Sequence, residues 1–181
     1  NGRGPAAARN AGWNASAAPW VVFLDDDVVP GDGWGAAIAQ DLERATATTG
    51  AVQGRVVVPR PADRRPNDRE RNVGRLATAE WISADLAVRR EVLVALGGFD
   101  ERFPRAYRED TDFQLRTHAA GFSFARGGRT TLHPPGRAPW WSSIAAQRGN
   151  ADDALLRAVH GPEVLDRGRR PRHQLTMLAA M

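Results

Sequence analysis

Five apolar residues in unbroken succession, Trp20-Val21-Val22-Phe23-Leu24, give way at once to Asp25-Asp26-Asp27. A run of this length, rich in β-branched and aromatic side chains, predicts a strand buried on both faces of a parallel sheet. The alanine-rich residues 5–18 predict a short helix stopped by Pro19, which biases the residue before it towards an extended conformation. Pro30-Gly31-Asp32-Gly33 is turn chemistry with Asp32 as a helix cap, and Trp34, Ile38 and Leu42 then recur at four-residue spacing along one helical face.

The alternation continues down the chain. Residues 51–58 predict a strand, 59–74 a long polar loop, 80–88 an extended segment and 90–96 a helix closed by Gly97-Gly98. A helix over 109–120, with Gly121 as its stop, precedes two short strands, 122–125 and 130–133, in a hairpin-like unit that Pro134-Pro135 ends. Residues 140–159 return to an amphipathic helical pattern, and the tail is rich in Arg, Pro and Gly. The whole predicts an α/β layer structure with a mainly parallel sheet and a late antiparallel piece. Residues 1–139 form one domain in this reading, and 140–181 a carboxy-terminal helix and Arg-rich tail.

Composition narrows the field. With 181 residues, 42% hydrophobic and 25% charged, the chain matches an ordinary folded globular domain. The absence of cysteine excludes disulfides, thiolate metal sites and cysteine nucleophiles. No run approaches the roughly 18 apolar residues of a membrane span. The expected location is the cytoplasm, with the inner face of the membrane as a place of peripheral contact; Trp140-Trp141 and the helix after them can lie against a membrane or close over the acceptor, and core packing is the simpler reading. The pI near 11.0 reflects basic side chains that are all arginine, behind a net charge of only +4. Seven of these arginines crowd into residues 55–75, where they can meet phosphates or anionic lipid or simply be solvated. The chain begins at Asn1 rather than Met, without the charged-then-apolar order of a signal peptide, so an upstream segment is expected.

Two acidic clusters are the candidate chemistry. In an extended chain Asp25 and Asp27 point the same way and Asp26 the other, at the carboxy end of a strand where open α/β sheets bind ligands. Paired carboxylates there call for a cation, and Mg²⁺ or Mn²⁺ suits oxygen ligands and bridges to nucleotide phosphates. A solvated acidic turn would read the same way. Glu109-Asp110-Thr111-Asp112 stands at a helix start, where acidic residues serve as caps, although a buried carboxylate can also be a general base. His133 can offer imidazole to the same metal. Arg9 can pair with phosphate or with the aspartates.

Taken in order, Ala8-Arg9-Asn10-Ala11-Gly12, Phe23-Leu24-Asp25-Asp26-Asp27 with Pro30, Arg89-Arg90 leading to Gly97-Gly98-Phe99-Asp100-Glu101, and Glu109-Asp110-Thr111-Asp112 resemble the family-two glycosyltransferases of the GT-A fold. The resemblance covers most of residues 4–133. It implies an inverting, metal-dependent transfer of a sugar from a nucleotide-diphosphate donor to an acceptor hydroxyl, carbohydrate or lipid-linked, with no nucleic-acid partner. It makes Asp110 the catalytic base, with Glu109 beside it orienting the acceptor or the base. Asp27, Asp25 and His133 become the metal set, and Arg9, Asp25, Asp26 and Asp85 the donor contacts. Arg108 departs from the glycine many relatives carry before the acidic pair. The family's opening strand and base-recognising segment would precede residue 1, so this piece alone is expected to be weakly active or inactive.

Two other readings compete. An apolar strand ending in Asp-x-Asp also opens haloacid-dehalogenase-like phosphatases, but Val29 stands where their Thr is expected and no lysine is present to stabilise a phospho-aspartate. An Arg-rich nucleic-acid or lipid-binding module would interleave aromatics with its basic residues, and 55–75 contains none.

Overall fold

The first acidic cluster begins where a strand ends, and the second where a helix begins. In the computed structural model, which describes residues 4–61, 63–79, 82–134 and 149–165, five strands form one sheet: β1 (Trp20–Leu24), β2 (Val29–Pro30), β3 (Thr49–Val57), β4 (Asp85–Arg89) and β5 (Ser123–Leu132), in the order β1-β4-β3-β5-β2. Helices α1 (Pro5–Asn14), α2 (Trp34–Glu43), α3 (Asp68–Gly74), α4 (Arg90–Leu96), α5 (Glu109–Ala119) and α6 (Gly149–His160) flank it.

The α/β alternation holds, but the expected mainly parallel sheet is a mixed one among the described residues. β3 and β5 run parallel, whereas β1–β4, β3–β4 and β2–β5 are antiparallel. The reason is the segment between β3 and β4, which leaves and re-enters the sheet at the same end instead of crossing over it. That end gathers several termini. Leu24 pairs with Asp85, Val57 with Leu132, and His133 N donates to Val57 O at 2.8 Å. β1 stands at the edge of the described sheet, and of its five residues only Phe23 is buried.

Two other expectations change. The predicted hairpin over 122–133 is one strand, bent by a register shift against β3. Gly127-Gly128 reads as a turn in sequence, but here it makes room for Asp41: a Cβ on Gly127 would lie 2.1 Å from Asp41 Oδ2. The polar loop after β3 contains α3 and a 3₁₀ turn, Arg75–Ala77. Asp32 does not cap α2, which starts from Gly33 in the left-handed region at φ 70°.

The core joins the two acidic clusters. Phe99 stacks on Phe113 with centroids 4.5 Å apart and meets Phe23 edge-on at 5.2 Å. Phe23 lies two residues before Asp25 and Phe113 three after Asp110, so this aromatic packing fixes the end of β1 against the start of α5. Asn10 locks α1 onto the same point, its side chain accepting from Phe99 N and donating to Phe99 O, each at 2.9 Å. Gly98, at φ 77°, permits that approach, since a Cβ there would stand 2.3 Å from Asn10 Oδ1. No helix among the described residues is long and apolar enough to cross a membrane.

Candidate active site

At the strand-terminus end of the sheet lies a cleft of about 490 Å³. Arg9 from α1, Asp25 and Asp27 after β1, Glu109 and Asp110 from α5, and His133 after β5 line it, with Val73, Leu76 and Ser83 as further walls. Side chains separated by up to 124 positions in sequence thus meet in one place. Asp26 is exposed and does not line the cleft. The chain at Asp25-Asp26-Asp27 is a turn, with Val28 N donating to Asp25 O at 3.4 Å, and not the extended strand assumed from the sequence. The turn nonetheless leaves the first and third aspartates on the cleft side.

Arg9 is the centre of the charge pattern. Its Nη1 donates to Glu109 Oε1 and its Nη2 to Asp25 Oδ1, each at 2.9 Å. Glu109 is 2% exposed, and its second oxygen, Oε2, is buried without a partner. Burial first, and then the adjacent Asp110 charge, push the Glu109 carboxyl up to about 7 against the opposing pull of Arg9. Asp110 is also raised, chiefly by burial, with the hydrogen bonds of Thr111 and the charge of Arg9 acting the other way. Its Oδ1 accepts from Thr111 N at 2.7 Å. Its Oδ2 has no hydrogen-bond partner among the described residues. A cleft-lining carboxylate with one oxygen anchored and the other unpartnered can accept a proton from a bound hydroxyl.

A divalent cation is implied by the sequence pattern, and the donor types suit one. His133 Nε2 lies 3.4 Å from Asp27 Oδ1, bringing an imidazole nitrogen and an exposed carboxylate together. Asp25 is turned to Arg9, and no three acidic or histidine side chains among the described residues already converge as a metal cage.

Asp85 is elsewhere. It is fully buried on the other side of β4, accepting from Arg129 Nε at 2.6 Å, from Trp34 Nε1 at 2.9 Å and from the Thr131 hydroxyl. Its carboxylate fills the space that a side chain at Gly54 would need. Arg129, itself buried, also donates to Asp41 Oδ2 at 3.0 Å and to Val52 O at 2.7 Å. The family resemblance assigned Asp85 to the donor because residues 83–85 match a stretch that lines the donor and acceptor pocket in relatives, and of these Ser83 and Ala84 do line the cleft. Ser83 and Ala84 lie in a turn, and where the chain enters β4 the Asp85 side chain is taken up by Arg129, Trp34 and Thr131.

Sequence reasoning also missed how α6 holds the segment around Glu109 and Asp110. Asp152 accepts from Arg105 at 2.7 and 3.1 Å, Asp153 from Arg108 at 2.6 Å, and His160 Nε2 lies 2.7 Å from Asp112 Oδ1. Phe103, Leu156 and Val164 form a small core beneath these pairs. Arg108 is the one non-glycine residue at positive φ, 74°, among the described residues. The amphipathic helix was predicted over 140–159, and the structure places it at Gly149–His160; Trp140 and Trp141 lie outside the described residues.

Helices against one sheet, with acidic turns gathered at the strand ends, define the GT-A class of glycosyltransferase fold. A mannosyltransferase from Pyrobaculum calidifontis, solved with GDP-Man and Mn²⁺, superposes with a TM-score of 0.53 at 24% identity, over 83% of this chain and 41% of that one. Glucosyl-3-phosphoglycerate synthase from Mycobacterium tuberculosis, solved with Mn²⁺, UDP and glucosyl-3-phosphoglycerate, gives 0.51 at 19% identity, over 84% and 54%. The chain therefore spans about half the length of these structures or less. The Glycosyl transferase family 2 profile matches residues 1–125, and the chain belongs to that family. No curated protein sequence matches it.

Proposed function

We propose that the protein carrying this chain transfers a sugar from a nucleotide-diphosphate donor to an acceptor hydroxyl with inversion at the anomeric carbon. One observation carries the reading: a single cleft brings Asp25 and Asp27 of the first acidic turn beside Glu109 and Asp110 of the second, with Arg9 spanning them.

In this reading the acceptor oxygen attacks the anomeric carbon as its proton passes to Asp110 Oδ2, and the bond from the anomeric carbon to the diphosphate oxygen breaks. The nucleoside diphosphate leaves with that electron pair. The raised affinity of Asp110 for a proton strengthens it as a base once ionised. Glu109, held by Arg9, fixes the start of α5 so that Asp110 faces the acceptor. Asp27 and His133 would hold Mn²⁺ or Mg²⁺, which when bound supplies positive charge to the departing diphosphate. Asp25 and Arg9 would adjoin the donor. The acceptor is carbohydrate, lipid-linked or another hydroxyl compound, and the work takes place in the cytoplasm or at the inner face of the membrane.

The test is calorimetric titration of UDP, GDP and dTDP with Mn²⁺ into the full protein and its Asp27→Ala variant. Binding of one nucleotide that requires both the ion and Asp27 is expected. A folded protein that binds none of the three would overturn the proposal.

A further inference from the structure

Residues 55–75 hold seven arginines against three acidic residues, a surplus of four that equals the net charge of the entire chain. The sequence pattern suggests a solvated polar loop, but the structure orders it. Asn67 Oδ1 accepts from Glu70 N at 2.9 Å, and Glu70 Oε2 accepts from Asn67 N at 2.8 Å, the reciprocal pair that starts a helix. The same carboxylate takes Arg64 Nη1 at 2.8 Å and Nη2 at 2.6 Å. The Arg64 hydrogen bonds, with that from Asn67 N, lower the Glu70 carboxyl to about 2, so it remains an anion already committed to Arg64.

Three of the other arginines line a cavity. A space of about 390 Å³ opens behind α3, lined by Arg60, Arg71, Arg75 and Thr78, with the committed Glu70 at its wall. Arg60 and Arg75 have no carboxylate partner among the described residues, whereas Arg9, Arg105, Arg108, Arg116 and Arg129 are each ion-paired. Guanidinium groups present planar forks of N–H donors that fit phosphate or carboxylate oxygens, and a concave wall with three cations against one anion already paired to Arg64 concentrates counter-ions. The cavity backs onto the cleft through one partition: Val73 and Leu76 line the cleft, while Gly74 and Arg75 line the cavity.

We propose that this cavity is a second ligand site, separate from the cleft, that binds a phosphate or carboxylate group through Arg60 and Arg75 with Arg71 beside them. The anion can be that of a soluble molecule or of a lipid headgroup; in either case the cavity anchors an anionic compound one helix away from the acidic cleft. The proposal does not depend on the transferase reading.

Two probes separate the sources. Inorganic phosphate is titrated at low salt by calorimetry, and flotation is measured with vesicles of phosphatidylglycerol in phosphatidylcholine and of phosphatidylcholine alone. The full protein is compared with Arg60→Gln/Arg75→Gln and with Arg44→Gln/Arg157→Gln, which removes the same charge from exposed arginines outside the cavity. The cavity variant is expected to bind the effective probe about tenfold more weakly, with its melting temperature unchanged and the control variant close to wild type. Phosphate binding without vesicle binding assigns a soluble anion, and selective flotation with the anionic vesicles assigns a headgroup. Failure of both probes, equal binding by wild type and the cavity variant, or an equal loss in the control variant would overturn the site.

Discussion

Arg9 donates from Nη1 to the buried Glu109 carboxylate at 2.9 Å, leaving Glu109 Oε2 inside the protein without a partner. The guanidinium also lowers the proton affinity of both Glu109 and Asp110. In the full protein, Arg9→Gln should therefore move the acid limb of the kcat/KM profile to higher pH and lower the rate at neutral pH by about tenfold. A pH–rate profile checks this; an unmoved limb would mean that Arg9 does not set the ionisation of the acidic pair.

Glu109 makes stability depend on pH in an unusual direction. Its carboxyl rises from 4.5 to about 7 on folding, so the folded state holds more protons than the unfolded chain between those values. Stability from this group is present below about pH 4.5 and is lost as pH climbs towards 7, by on the order of 3 kcal/mol. Glu109→Gln should flatten the decline in urea-denaturation free energy across that window.

The Arg129 network is buried on all sides, with Asp41 and Asp85 both dependent on one cation. Arg129→Met should cost about 3–5 kcal/mol, because two carboxylates would remain inside without a counter-charge. Denaturant titration measures it, and a loss below about 1 kcal/mol would show that the carboxylates find protons or water instead.

Arg108 occupies the left-handed region at φ 74° while its guanidinium pairs with Asp153 at 2.6 Å. Replacing Asp153 by Asn should destabilise the fold by about 1 kcal/mol. In that background Arg108→Gly should restore about the same amount, since glycine adopts this conformation without strain. Thermal melts of the single and double variants test the cycle.

His133→Ala should raise the Mn²⁺ concentration required for nucleotide binding about tenfold or more, and leave the fold intact. Titrating the ion at fixed nucleotide gives the answer directly.

Much of this was legible where the signal was local. The apolar run ending at Asp25 announced β1, Gly97 at φ 69° closes α4 as its position suggested, and three of the four ordered motifs, those holding Arg9, Asp25 and Glu109, contribute to one cleft. What failed was non-local. Nothing in Gly127-Gly128-Arg129 shows that Arg129 will meet Asp85 44 positions away and Asp41 88 away, and without that partner the glycines read as a turn. The mixed sheet was hidden for a similar reason, because strand–helix alternation does not reveal whether a connection crosses the sheet or doubles back. α3 could have been found: Asn67 and Glu70 stand at capping-box spacing within a stretch dismissed as polar loop.

The helix Gly149–His160 lies beyond the 1–125 span matched by the family, yet Asp152, Asp153 and His160 each reach back to the segment bearing Glu109 and Asp110. The segment bearing Glu109 and Asp110 is consequently not a portable cassette. Transplanting residues 1–125 into a related chain would strip Arg105 and Arg108 of their carboxylate partners and leave Asp112 with Arg116 alone, unless this 12-residue helix travelled with them.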